Sequence, residues 1–171
     1  MKRALLGIGL AAAFLPGPLA AGGPQVGGPA PRIQISEWLS GEIRGDGPLA
    51  GKVVVLEFFA TWCRPCWAAV PHMNELVARF AGDRVIFISM SDENRDKVAG
   101  YIDQMGIKAR VVLDRNMETA RDYDVETIPY MYLIDSHGVV RWRGHPMAFS
   151  EQMMSDFLKT EAAGSSGSAT R

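Results

Sequence analysis

A chain of 171 residues, 47% hydrophobic and 22% charged, can bury one ordinary globular core but not two. Its formal net charge of −1 excludes the basic face that a nucleic-acid partner would need. It holds only two cysteines, Cys63 and Cys66. They are too few for a four-thiolate zinc site, and they close too small a loop to staple a fold. The pair is therefore redox chemistry, part of a mixed metal site, or chance.

Lys2 and Arg3 open the chain with positive charge, and Ala4–Leu15 is small and apolar. Pro16, Gly17 and Pro18 break that run, and Ala20, Ala21 and Gly22 are small enough for cleavage. Residues 1–21 thus read as a secretory signal peptide, with an apolar run too short to span a bilayer. No cysteine follows the run, so a lipoprotein anchor is not expected. Loss of Lys2 and Arg3 would take the net charge from −1 to −3. Residues 22–32 are rich in glycine and proline and read as a linker. The folded domain is expected over 33–160, and 161–171 as a disordered polar tail.

Val53–Phe59 is a nearly continuous apolar run, as in a strand buried on both faces. Cys66–Phe80 has helical spacing at Val70, Met73, Leu76, Val77 and Phe80. Val85–Met90 reads as a strand, and Asn94–Met105 as a helix with Val98, Tyr101, Ile102 and Met105 on one face. A short strand at Arg110–Leu113 and a short helix at Met117–Tyr123 follow. Tyr130–Ile134 and Val139–Arg143 flank the turn-forming Asp135-Ser136-His137-Gly138 and predict a hairpin. Phe149–Lys159 is the last helix, with Met153, Phe157 and Leu158 inward. This order predicts an α/β fold, a central mixed β-sheet flanked by helices.

The segment Cys63-Arg64-Pro65-Cys66 lies where a buried strand ends and a helix begins. Unpaired N–H groups and the helix dipole stabilise an anion there. Cys63 is expected to be the attacking thiolate, with Cys66 resolving the mixed disulfide from one turn behind. Pro65 stiffens the first turn, and Arg64 adds a nearby positive charge.

The stretch Val54-Val55-Leu56-Glu57-Phe58-Phe59-Ala60-Thr61-Trp62-Cys63-Arg64-Pro65-Cys66 resembles the active-site strand and loop of the thioredoxin superfamily. It is most similar to the exported TlpA/ResA-like branch, over about residues 33–160. The resemblance implies a thioredoxin-like fold and a thiol–disulfide oxidoreductase working as a protein-disulfide reductase, with no cofactor beyond the Cys63–Cys66 disulfide. It also implies protein substrates with cysteine pairs, such as apocytochromes, a membrane thiol electron donor and a periplasmic or otherwise exported location. A monomer is expected.

Pro71 fits a helix kink tolerated in this family. Pro129 occupies the family's cis-proline position, where the backbone of Ile128, after Thr127, would pair with an extended substrate. Glu57, six residues before Cys63, stands where a buried acid manages the proton of the second cysteine. Burial should raise its pKa. Trp62 is expected to shape the docking surface. Tyr130, where thioredoxin often has Thr, should reshape the groove. Arg64 favours an oxidase and Ile128 a reductase. His72 and His137 read as surface or capping groups, and Asp92, Glu93 and Arg95 as helix-start residues with no further role.

Two rivals belong to other classes. A copper-binding chaperone would use Cys63, Cys66 and His145 as ligands, since soft thiolates suit Cu(I). A thiol peroxidase would need a Pro-x-x-x-Thr-x-x-Cys segment, whereas Thr61 lies only two residues before Cys63.

Overall fold

The computed structural model describes residues 22–43 and 49–166. The expected signal peptide, 1–21, lies outside them. Six strands form one sheet in the order β1-β4-β3-β2-β5-β6. They are β1 (Glu37–Trp38), β2 (Val53–Phe58), β3 (Val85–Ser91), β4 (Arg110–Leu113), β5 (Tyr130–Ile134) and β6 (Val140–Gly144). Four helices accompany them: α1 (Arg64–Phe80), α2 (Arg95–Met105), α3 (Glu118–Asp122) and α4 (Glu151–Ser166).

The central strand β2 runs parallel to β3 and antiparallel to β5, so the sheet is mixed. Alternation along β2 divides its side chains between two cores. Val54, Leu56 and Phe58 pack with Ala120, Tyr123 and Tyr132 on the α3 side. Val53 and Val55 face Met73 and Leu76 of α1 and Met154 of α4. Glu57 has the parity of this second set, which sends its carboxyl toward the helices. A third cluster joins Phe59, Cys63 and Cys66 to Val98 and Tyr101 of α2.

Helix α1 passes through Pro71 without interruption. Helix α2 starts at Asn94, whose side chain accepts from the Asp96 amide, and stops at Gly106 with φ 63°. That left-handed cap favours glycine because a Cβ is penalised there.

Several features differ from the sequence expectation. Gly27–Ala30, expected within a linker, is hydrogen-bonded along the hairpin: Gly27 N–H donates to Val140 O, Val140 N–H to Gly28 O, and Ala30 N–H to Gly138 O. Backbone pairing needs no apolar period, so composition could not signal it. Helix α4 continues to Ser166, into the expected tail. Glu161 holds it down by accepting from the Ser136 amide at 2.9 Å. Met153, expected inward, is exposed, whereas Met154 is buried. Helical spacing from Met154 leads to half-buried Phe157 and Leu158, which fixes the phase. The expected helix at Met117 begins instead at Glu118, because Met117 is left-handed with φ 55°. Buried Asp114 starts α3 by accepting the amides of Thr119 and Ala120 at 2.9 and 2.8 Å. Strand β1 and the short 3-10 turn Pro146–Ala148 were not anticipated.

Candidate active site

Cys63 and Cys66 are joined as a disulfide, with Cα atoms 5.3 Å apart. Cys63 is the N-cap of α1, so its sulfur meets the unpaired amides of the first turn. The Cys66 N–H donates to Cys63 Sγ at 3.2 Å. Once the bond is reduced, that amide and the helix dipole favour a Cys63 thiolate. Cys63 and Cys66 are 4% and 2% exposed, while Arg64 and Pro65 between them are exposed.

Across the disulfide, the Ile128–Pro129 peptide is cis. The Ile128 carbonyl oxygen lies 3.7 Å from Cys63 Sγ. Thr127 is exposed, Ile128 half-buried and Pro129 buried. Trp62 stands out at 70% exposure. A groove of about 220 Å³ between Trp62, Met117, Val125 and Ile128 runs alongside.

Beneath the disulfide, Glu57 is 6% exposed. Ser89 donates its hydroxyl to Glu57 Oε2 at 3.0 Å. Burial pushes the Glu57 carboxyl up to about 7 against the partial opposition of this bond. Glu57 and Cys66 line one small cavity of about 10 Å³. The structure thus brings Cys63, Cys66, Glu57, Ile128 and Pro129 together, with Trp62, Arg64, Pro65 and Thr127 around them.

Glu93 is the residue that sequence reasoning missed. It is not merely a helix-start acid: its carboxylate accepts from Thr61 N–H at 2.5 Å and from Thr61 Oγ1 at 2.9 Å. It thereby ties the loop after β3 to the loop that carries the cysteines. No local pattern announces a contact between residues so far apart in sequence. Trp67 secures the same loop, donating Nε1–H to Thr61 O at 2.8 Å.

The three histidines serve local structure. His72 Nε2 pairs with Phe149 O at 2.8 Å, and the His137 amide donates to Asp135. His145 Nδ1 accepts from the Met147 amide at 3.3 Å, capping the 3-10 turn. Among the described residues no group of three or more His, Cys, Asp or Glu side chains is placed to hold a metal ion. The Thr61 hydroxyl donates to the Glu93 carboxylate.

The AhpC/TSA family model matches residues 26–143. The chain belongs to the AhpC/TSA family. Within that thioredoxin-like family it is similar to the thiol-disulfide oxidoreductase ResA of Bacillus thuringiensis (strain Al Hakam). The two are 34% identical over 117 residues, covering 68% of this chain and 67% of the relative. Among solved structures it resembles one described as a thiol:disulfide interchange protein DsbE from Chlorobium tepidum. Identity there is 26% and the TM-score 0.65, over 80% of this chain and 97% of the other. A secreted Mycobacterium tuberculosis disulfide oxidoreductase shares the fold at 21% identity and TM-score 0.51, over 68% of this chain and 84% of the other. The expected ResA likeness and thioredoxin-like fold both hold. With a cysteine pair at disulfide distance, this family member is a protein thiol–disulfide oxidoreductase.

Proposed function

We propose that the protein is an exported protein-disulfide reductase in which Glu57 takes the proton of Cys66. The observation that carries this reading is the small cavity that Glu57 and Cys66 both line. A buried carboxyl titrating at about 7 can accept and return a proton near neutrality. Cys63, backed by the Cys66 amide and the helix N-terminus, is the better thiolate.

The Cys63 thiolate attacks one sulfur of a substrate disulfide. That S–S bond breaks, and the other substrate sulfur leaves as a thiolate. Cys66 then gives its proton to Glu57 and attacks Cys63 Sγ. The mixed disulfide breaks, the Cys63–Cys66 bond forms, and the second substrate thiolate leaves. Two electrons pass from the cysteine pair to the substrate. Regeneration requires an external thiol donor, assigned to the membrane.

Trp62, Arg64, Pro65, Thr127 and Ile128 form the docking rim, with the Ile128 backbone adding to an extended substrate segment. Oxidised cysteine pairs in exported proteins, such as apocytochrome haem-attachment motifs, are the substrate class. Export rests on the Lys2–Ala21 pattern.

The test is the reduction potential of the pair, by equilibration with glutathione. A value near about −270 mV supports the reductase. A value near about −120 mV favours a disulfide-introducing oxidase, the direction suggested by Arg64 and the Cys66 amide on Cys63 Sγ.

A further inference from the structure

Tyr101 on α2 is 5% exposed, and among the described residues its hydroxyl is the one buried side-chain polar atom without a hydrogen-bond partner. A buried hydroxyl costs free energy unless a hydrogen-bond partner such as a water satisfies it. Tyr101 lines the same cavity as Glu57, Cys66, Ser89 and Asn74. Its ring is fixed by stacking on Phe59, with centroids 5.6 Å apart and an interplanar angle of 22°. Trp67 lies against it at 6.5 Å. The cavity volume of about 10 Å³ is about the space of a single water molecule; its walls are largely apolar, with Phe59, Val70, Met73 and Ile107, and the Tyr101 hydroxyl, Glu57 and Ser89 are the polar groups that could hold that water.

We propose that the Tyr101 hydroxyl is a positioning group that seats one water between Cys66 and Glu57 and so sets the path of the proton. The hydroxyl donates to the water oxygen, which turns the water's hydrogens away from α2 and toward acceptors such as the Glu57 carboxylate. As Cys66 attacks, its S–H proton passes to the water while a water proton passes to Glu57. The water is unchanged, and Glu57 ends protonated.

Elements packed against Tyr101 present three titratable groups: Glu57 from β2, Cys66 from α1 and Glu93 from the loop after β3. Ser89 and Asn74 are uncharged. Burial, with the charges of Glu57 and Glu93, pushes the phenol up to about 12, so it keeps its proton throughout. This inference rests on the reading of Glu57 as the proton acceptor.

The test compares the full chain with Tyr101→Phe and Glu57→Gln. Reduced protein is mixed with glutathione disulfide, and the two exchange steps are followed by acid quench and mass spectrometry from pH 5 to 9. Tyr101→Phe keeps the ring stack, so formation of the mixed disulfide by Cys63 should stay at the wild-type rate. Resolution by Cys66 should slow by roughly tenfold near pH 6, with its pH inflection displaced. An unchanged resolution profile in Tyr101→Phe, beside a changed one in Glu57→Gln, would overturn the role of Tyr101 and leave that of Glu57 intact. An unchanged profile in Glu57→Gln would remove both. Equal slowing of both steps by Tyr101→Phe would mean a disturbed site, and would also overturn the proposal.

Discussion

Glu57 and Ser89 are register partners on adjacent parallel strands, and the serine hydroxyl donates to the glutamate 3.0 Å away. The contact is buried on both sides. It is the one interaction that opposes the burial of the carboxyl, and it favours the charged form. Ser89→Ala should therefore raise the Glu57 pKa above about 7. A carbon-13 NMR titration of the carboxyl in the oxidised protein measures this, and a fall or no change would contradict it.

The same carboxyl links stability to pH. An ordinary glutamate of the unfolded chain titrates near 4.5, whereas folded Glu57 titrates at about 7. Below the lower value both states are protonated and the contribution is fully present. As pH rises, the unfolded chain ionises first, and stability is lost until the folded group ionises too. The total loss is roughly 3 kcal/mol. Glu57→Gln should flatten this part of the curve, so the oxidised variant loses less stability between pH 5 and pH 8 than the wild type. Guanidinium unfolding at the two pH values provides the comparison.

Glu93 holds both the amide and the hydroxyl of Thr61. Glu93→Ala should cost about 1–3 kcal/mol, the range for losing charge-assisted hydrogen bonds of a partly buried group. It should also slow disulfide exchange, because the loop before Cys63 is no longer fixed. Thermal unfolding and an insulin-reduction assay report the two effects, and full activity in a destabilised variant would separate the clamp from function.

Trp62 contributes little to the core, being 70% exposed. Trp62→Ala should change stability by no more than about 0.5 kcal/mol. Its effect should appear as a raised KM for protein disulfides with little change toward a small disulfide such as glutathione disulfide. Equal losses on both substrates would argue that the indole acts on the cysteines rather than on docking.

Strands β2 to β6 and the cysteine corner were legible because each is written locally, whereas the two-residue β1 was not. The apolar run of β2, the glutamate interrupting it and Pro65 after Cys63 carry their meaning within a few residues. Contacts between distant segments were not legible in the same way. Glu93 has ordinary helix-start surroundings, and only the fold brings it to Thr61. Tyr101 reads as one more apolar position of α2, and its hydroxyl gains significance only beside Glu57 and Cys66. Met153 and Met154 show the limit of periodicity, since adjacent methionines exchange inside and outside with a small turn of the helix.

The backbone pairing of Gly27 and Gly28 with Val140, at the start of β6, bears on how the molecule meets other chains. A bare sheet margin invites any extended polypeptide to attach itself, which ends in self-association. Here the start of one margin is paired by residues 27–30, and further along it the Arg143 side chain donates to the carbonyls of Gly22 and Pro24. The opposite margin is the two-residue strand β1. A protein thiol–disulfide oxidoreductase gains from such blunt flanks: other chains are turned away from attachment along the sides and left to engage where the sulfur atoms are.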